Sequence, residues 1–184
     1  MPPAESLRPR LATRANALTG VRAALAPAIA WAIYSRAHAL ALLFFVLAVA
    51  TDLADGRVAR RLGEVSALGG LLDHATDALF VASGIAALAS LGVAPAPLPA
   101  LVLAAFAQYT LDSRALAGRP LRASALGRWN GIAYFVLLGV PVVRDGLALD
   151  WPQDALVRAL GWALAATTCA SMTDRGLALL RSRT

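Results

Sequence analysis

The residues from Asp52 to Asp77 read DLADGRVARRLGEVSALGGLLDHATD and lie between two long apolar segments. Asp52 and Asp55 are three residues apart, and Asp73 and Asp77 are four residues apart, so on a helix each pair shares one face. Two antiparallel helices joined by a short turn can therefore direct four carboxylates at one another.

Small residues lie on the same two helix faces. Gly56 and Ala59 follow the first two aspartates at helical spacing, and Gly69 precedes the second two. Small side chains in membrane helices either allow close helix packing or leave room for a ligand. Both interpretations stay open for these three positions on the pattern alone.

Four carboxylates at the ends of apolar helices repel one another and are costly to remove from water unless positive charge lies nearby. Ligation by oxygen alone favours Mg²⁺ or Mn²⁺ over Zn²⁺, which prefers His or Cys. Two such ions about 3.5–4 Å apart can clamp phosphoryl oxygens during an in-line displacement. We therefore expect a divalent cation, or a pair of them, Mg²⁺ or Mn²⁺, near Asp52, Asp55, Asp73 and Asp77.

The composition indicates an all-α integral membrane protein. The chain has 184 residues, of which 59% are hydrophobic and only 15% charged, and its mean hydropathy of +0.64 is high for a soluble domain. The apolar residues run through whole segments and do not alternate, which argues against strands. We predict six transmembrane helices at residues 17–35, 38–61, 66–91, 97–116, 127–146 and 154–178.

Charge predicts how these helices are oriented. The 17 basic residues are all arginines, and with 11 acidic residues they give a net charge of +6. In so apolar a chain this excess indicates a membrane surface or phosphate ligands and no nucleic acid. Most arginines, with Arg22 and Arg175 counted among them, fall on one side of a six-helix arrangement. Both termini are therefore predicted to be cytoplasmic, with residues 1–16 a juxtamembrane segment and 17–184 one domain.

The spacing Asp-x2-Asp-Gly-x2-Ala-Arg-x8-Gly-x3-Asp-x3-Asp resembles the signature of the CDP-alcohol phosphotransferase family, which makes phospholipids in membranes. Its eight fixed positions are filled by Asp52, Asp55, Gly56, Ala59, Arg60, Gly69, Asp73 and Asp77. The opening of the first helix, with Asn16, Thr19, Arg22 and Pro27, is similar to the family's layout.

The resemblance implies a homodimer in which each protomer holds two divalent cations, Mg²⁺ or Mn²⁺, at the cytoplasmic membrane boundary. It implies transfer of a substituted phosphate from a CDP-linked donor to an alcohol, with release of CMP. By motif position Asp77 would be the general base and would also lie close enough to contact a metal. Asp52, Asp55 and Asp73 would be metal ligands. The nucleotide and its diphosphate would be bound at Asp55, Gly56, Ala59, Arg60 and Gly69.

A polar cluster between the fourth and fifth segments is the candidate acceptor site. Its residues are Tyr109, Asp112, Arg114, Arg119, Arg122 and Arg128. Arginines there could hold an acceptor phosphate. The alternative is that they are ordinary loop charges that follow membrane topology.

Three functions fit the pattern. The first is transfer of a phosphatidyl group from CDP-diacylglycerol to a polar alcohol, in a multi-pass protein of a bacterial inner membrane. The second uses a soluble CDP-aminoalcohol donor and a lipid hydroxyl acceptor. The third, of a different class, is a cation transporter, which the Ala59–Arg60 pair disfavours because a fixed Arg does not help cations to pass.

Overall fold

A computed structural model of the chain describes residues 14–62, 67–115 and 125–181, with side chains described in 20–53, 70–110 and 126–178. The described residues form six α-helices and no strand, which confirms the all-helical fold. Each helix begins and ends within three residues of the predicted segment. The helices are α1 (Arg14–Tyr34), α2 (His38–Leu62), α3 (Ala67–Ser90), α4 (Leu98–Ala115), α5 (Ala125–Gly146) and α6 (Asp154–Arg181).

The three odd-numbered helices end in the same way. A residue with positive φ follows each of them: Arg36 (55°), Gly92 (75°) and Ala148 (52°). After α3, for example, the Val93 N–H donates to the Leu88 carbonyl at 2.9 Å, the bond that closes a Schellman motif. The chain reverses within three to seven residues at these ends, so neighbouring helices run antiparallel.

Helix α3 lies in the middle of the bundle and packs against α1, α4 and α5. Its Phe80 and Ile85 are fully buried, together with Ile29 of α1 and Leu138 of α5. Two helices approach closely at Gly139 of α5, where an added Cβ would lie 2.5 Å from a ring carbon of Phe45 on α2. The core therefore depends on tight packing between helices that are far apart in sequence.

Large apolar side chains cover much of the outer surface, and Trp31, Trp129 and Trp162 are each more than half exposed. Three described stretches are long and apolar enough to cross a membrane: Gly70–Ser90, Leu126–Gly146 and Asp154–Ala178. The apolar stretches described in α1, α2 and α4 are shorter. This pattern is that of a membrane protein, while six crossings remain a prediction.

An ion-pair cluster joins α5 to α6 at the end of the bundle where the odd-numbered helices finish. The Arg144 side chain lies 2.7 Å from carboxylate oxygens of both Asp145 and Asp154. It also donates to the Pro152 carbonyl at 2.6 Å. The cluster holds the α5–α6 turn at the opposite end of α3 from Asp73 and Asp77.

Candidate functional site

Three of the four motif aspartates have described side chains, and these come together at one end of the bundle. Asp52 lies in the second half of α2, and Asp73 and Asp77 lie in the first half of α3. One carboxylate oxygen from each lies within 4.8 Å of the others. The helical spacing of Asp73 and Asp77 directs both carboxylates to the same side of α3, the side that faces α1.

A fourth side chain joins this cluster from α1. The Arg22 Nη1 group donates hydrogen bonds to Oδ1 of Asp73 at 2.7 Å and to Oδ1 of Asp77 at 2.6 Å. Its Nη2 atom lies 3.2 Å from Oδ1 of Asp52, and the Arg22 side chain is fully buried. By charge alone, Arg22 belongs with the arginines that set the orientation of the helices. Its position inside an apolar helix was the signal of another role, since a charge there usually has a partner.

The donor set suits a hard divalent cation. Three carboxylates face one guanidinium, so two negative charges are left unbalanced among the described side chains of the cluster. In an octahedral Mg²⁺ site, neighbouring ligand oxygens are about 3.0 Å apart and opposite ones about 4.2 Å apart, because each bond is about 2.1 Å long. Oxygens that all lie within 4.8 Å of one another can share an ion after the side chains move together by up to about 2 Å.

A cavity of about 430 Å³ opens beside Asp77, between α3, α4, α5 and α6. Its polar end is formed by Asp77, Tyr109, Arg128 and Arg175, and most of the remaining wall is apolar. Val102 lies seven residues before Tyr109 on α4, which places it about 10 Å deeper at roughly 1.5 Å per residue. The cavity thus extends from the acid cluster into the apolar part of the bundle.

Tyr109 of α4 contacts side chains of both α3 and α6 at the polar end of this cavity. Its ring stacks on that of His74 from α3, with centroids 6.0 Å apart. The Arg175 guanidinium of α6 lies 5.7 Å from the centroid of the Tyr109 ring and makes a cation–π contact with it. Arg175 is not among the predicted acceptor residues. By charge alone it belongs with the arginines that set the orientation of the helices in the membrane, and the sequence does not show that α6 packs on α4.

Polar contacts between helices fix the walls of the cavity. Gln108 Nε2 donates to the Met172 carbonyl at 2.9 Å, which links α4 to α6. The hydroxyls of Tyr134 and Thr168 lie 2.6 Å apart, which links α5 to α6. Satisfied polar contacts of this kind in an apolar bundle hold neighbouring helices in register.

The described part of the structure covers only some of the predicted site. Among the acceptor candidates, Tyr109 and Arg128 line the cavity. The other predicted positions lie outside the described side chains, and these are Asp55, Gly56, Ala59, Arg60, Gly69, Asp112, Arg114, Arg119 and Arg122.

Comparison with known proteins identifies a family that the chain matches. The family described as CDP-alcohol phosphatidyltransferase matches residues 12–172. Curated proteins named "Putative cardiolipin synthase" from Mycobacterium bovis and Mycobacterium tuberculosis are 38% identical to the chain over 73 residues. The matched segment covers 39% of this chain and 35% of each of those relatives.

Proposed function

Because the chain belongs to the CDP-alcohol phosphatidyltransferase family, we propose that it transfers a phosphatidyl group from CDP-diacylglycerol to an alcohol and releases CMP. The observation that carries this proposal is the convergence of Asp52, Asp73 and Asp77 from two helices beside a cavity. The name of the mycobacterial relatives supports phosphatidyl transfer in phospholipid synthesis.

We assign Asp52, Asp55, Asp73 and Asp77 as ligands of two divalent cations, Mg²⁺ or Mn²⁺. When bound, such ions neutralise the donor diphosphate and stabilise the charge that develops on its oxygens during transfer. The three described carboxylates support the assignment, since their ligand atoms already lie within 4.8 Å of one another.

Asp77 is the general base of the proposed reaction, because its carboxylate belongs to the acid cluster and also lines the cavity. It accepts the proton of the acceptor hydroxyl. The acceptor oxygen bonds to the phosphatidyl phosphorus, the bond from that phosphorus to the bridging oxygen breaks, and CMP leaves with that oxygen. By motif position, Gly56, Ala59 and Gly69 border the nucleotide, and Asp55 and Arg60 contact its diphosphate side.

The cavity favours an acceptor that is itself an acidic lipid. Its deeper wall contains Val81, Val102, Phe106 and Phe135, which would suit hydrocarbon better than a small polyol. Arg128 and Arg175 at the polar end can hold a phosphate. Cardiolipin, the product named for the mycobacterial relatives, carries two phosphatidyl groups on one glycerol. Making it by this chemistry requires a phospholipid acceptor with a hydroxyl, such as phosphatidylglycerol.

The proposal is tested by measuring CMP release from CDP-diacylglycerol by purified protein in detergent with Mg²⁺ or Mn²⁺. The acceptors compared are phosphatidylglycerol, glycerol 3-phosphate, inositol 1-phosphate and serine, and we expect the highest rate with phosphatidylglycerol. Turnover of a CDP-aminoalcohol with diacylglycerol would favour the second function. Cation uptake into liposomes without any CMP release would favour a transporter.

Two neighbouring alanines of α4 test whether the cavity holds the acceptor. Ala105 lines the cavity, whereas Ala104 is exposed on the outside of the helix. We expect Ala105→Phe to fill the cavity and lower kcat/KM for phosphatidylglycerol by about tenfold or more, since overpacking costs about 1–3 kcal/mol. Ala104→Phe should leave it nearly unchanged. Equal effects of the two variants, measured by CMP release, would remove the acceptor from this cavity.

The proposed location and assembly follow from the family and from charge. We propose a homodimer in the bacterial inner membrane, with six crossings, both termini in the cytoplasm and the active site at the cytoplasmic boundary. The large apolar outer surface supports membrane embedding, and the distribution of the arginines supports the orientation.

A further inference from the structure

One guanidinium from α1 contacts carboxylates from both α2 and α3. We propose that Arg22 is a positioning residue for the metal ligands, holding one oxygen each of Asp52, Asp73 and Asp77 so that the second oxygen is presented to the cations. This inference rests on the metal site of the proposed function. It gives α1, which carries none of the eight motif residues, a part in that site.

The contacts have the geometry that such a role needs. All three of these contacts use Oδ1 of the aspartate, at 2.6 to 3.2 Å from Arg22. Nη1 carries two hydrogens and donates one to Asp73 and one to Asp77. Nη2 of the same rigid plane lies 3.2 Å from Oδ1 of Asp52 in an ion pair. A single planar group therefore fixes the Asp52 carboxylate of α2 relative to the Asp73 and Asp77 carboxylates of α3.

The exposure of the four side chains shows on which side a cation would bind. Arg22 is fully buried, whereas the side chains of Asp52, Asp73 and Asp77 are 46%, 32% and 25% exposed. The guanidinium thus lies behind the carboxylates, toward the interior of the bundle. A cation arriving from the exposed side meets the carboxylates first and does not have to displace Arg22.

Removing Arg22 has two opposite effects on cation binding. The loss of a positive charge would make the cluster more attractive to a cation. The loss of orientation would make the ligands diverge, and outer-sphere partners of metal ligands typically contribute about 10–100-fold to metal affinity. We expect orientation to dominate, because the three carboxylates repel one another and no other described side chain contacts all three.

Mn²⁺ binding tests this role directly and does not depend on turnover. The full chain in nanodiscs is titrated with Mn²⁺, and unbound Mn²⁺ is followed by electron paramagnetic resonance. We expect Arg22→Gln to weaken the affinity by about 10–100-fold. Arg22→Lys keeps the charge but lacks the planar fork, so we expect a smaller loss. If Arg22→Gln does not fold, Arg22→Lys decides the question alone.

Arg144→Gln is the matched control, because Arg144 also pairs with two aspartates but lies at the other end of the bundle. It should lower the melting temperature while Mn²⁺ affinity stays unchanged. Unchanged or tighter Mn²⁺ binding in the folded Arg22 variants would overturn the positioning role and leave the proposed transferase standing. Absence of Mn²⁺ binding by the unmodified chain would overturn the metal site and this inference together.

Discussion

Asp77 is the residue that connects the two halves of the proposed site, the acid cluster and the cavity. Its carboxylate contacts Arg22 in the acid cluster and also lines the cavity. The sequence predicted the importance of Asp77 from its spacing within the motif. It did not predict the roles of Arg22 and Arg175. Their contacts join α1 to α3 and α4 to α6, and no local pattern shows which distant helices meet.

Replacing Asp77 by Asn tests its role as base. The amide cannot accept the hydroxyl proton, so we expect kcat for CMP release to fall by about 10²–10⁴-fold, the usual contribution of a general base. Equilibrium dialysis with labelled CDP-diacylglycerol should show most of the donor binding retained. Asp154→Asn at the other end of the bundle is the control and should keep near-normal turnover. Normal turnover of Asp77→Asn would remove Asp77 from the mechanism.

Arg175→Gln tests recognition of the acceptor phosphate. Loss of a charged hydrogen bond costs about 1.5–3 kcal/mol, so we expect KM for phosphatidylglycerol to rise by about 10–100-fold. KM for CDP-diacylglycerol should change little. Arg158→Gln, an exposed position at the opposite end of α6, provides the comparison. An equal rise of both KM values would point to general damage at the polar end of the cavity.

The ends of the helices could be predicted from the sequence because they depend on local signals. Arg36, Gly92 and Ala148 adopt the positive φ values that end α1, α3 and α5 near the predicted positions. The contacts between helices were not predictable in the same way. Gly139, for instance, was indistinguishable from other glycines in apolar segments until the structure placed it against Phe45.

Two glycines of α5 test this helix packing. An added Cβ at Gly139 would lie 2.5 Å from the Phe45 ring, whereas at Gly131 it would meet nothing within 4 Å. We expect Gly139→Ala to lower the free energy of unfolding by about 1–3 kcal/mol through overpacking. Gly131→Ala should be neutral or raise it by up to about 1 kcal/mol, because Ala favours helix. Thermal unfolding in detergent measures both, and equal stabilities would contradict the close contact.

The acid cluster and the cavity lie at the same end of the helix bundle. The cluster draws on α1, α2 and α3, and the cavity on α3 to α6, so α3 contributes to both. The composition sufficed to predict helices in a membrane. It could not predict a cavity with walls from four helices, because such a space depends on how residues far apart in sequence pack together.

Labelling with a membrane-impermeant maleimide tests the proposed orientation. Starting from Cys169→Ser, which removes the natural cysteine, Ala96→Cys places a thiol in the exposed turn between α3 and α4. We expect this thiol to react in intact cells, whereas a thiol introduced by Thr184→Cys should react only after the membrane is permeabilised. The reverse pattern would place the acid cluster on the outer side of the membrane.

Release of CMP is the most direct measure of the proposed metal-dependent transfer. Purified protein is incubated with CDP-diacylglycerol and phosphatidylglycerol, first with Mg²⁺, then with excess EDTA, and then with Mg²⁺ restored. We predict CMP and a lipid with two phosphatidyl groups in equal amounts in the first and third conditions, and neither in EDTA. Equal CMP release in EDTA, or no release with Mg²⁺ or Mn²⁺ for any acceptor, would contradict a metal-dependent phosphatidyl transferase.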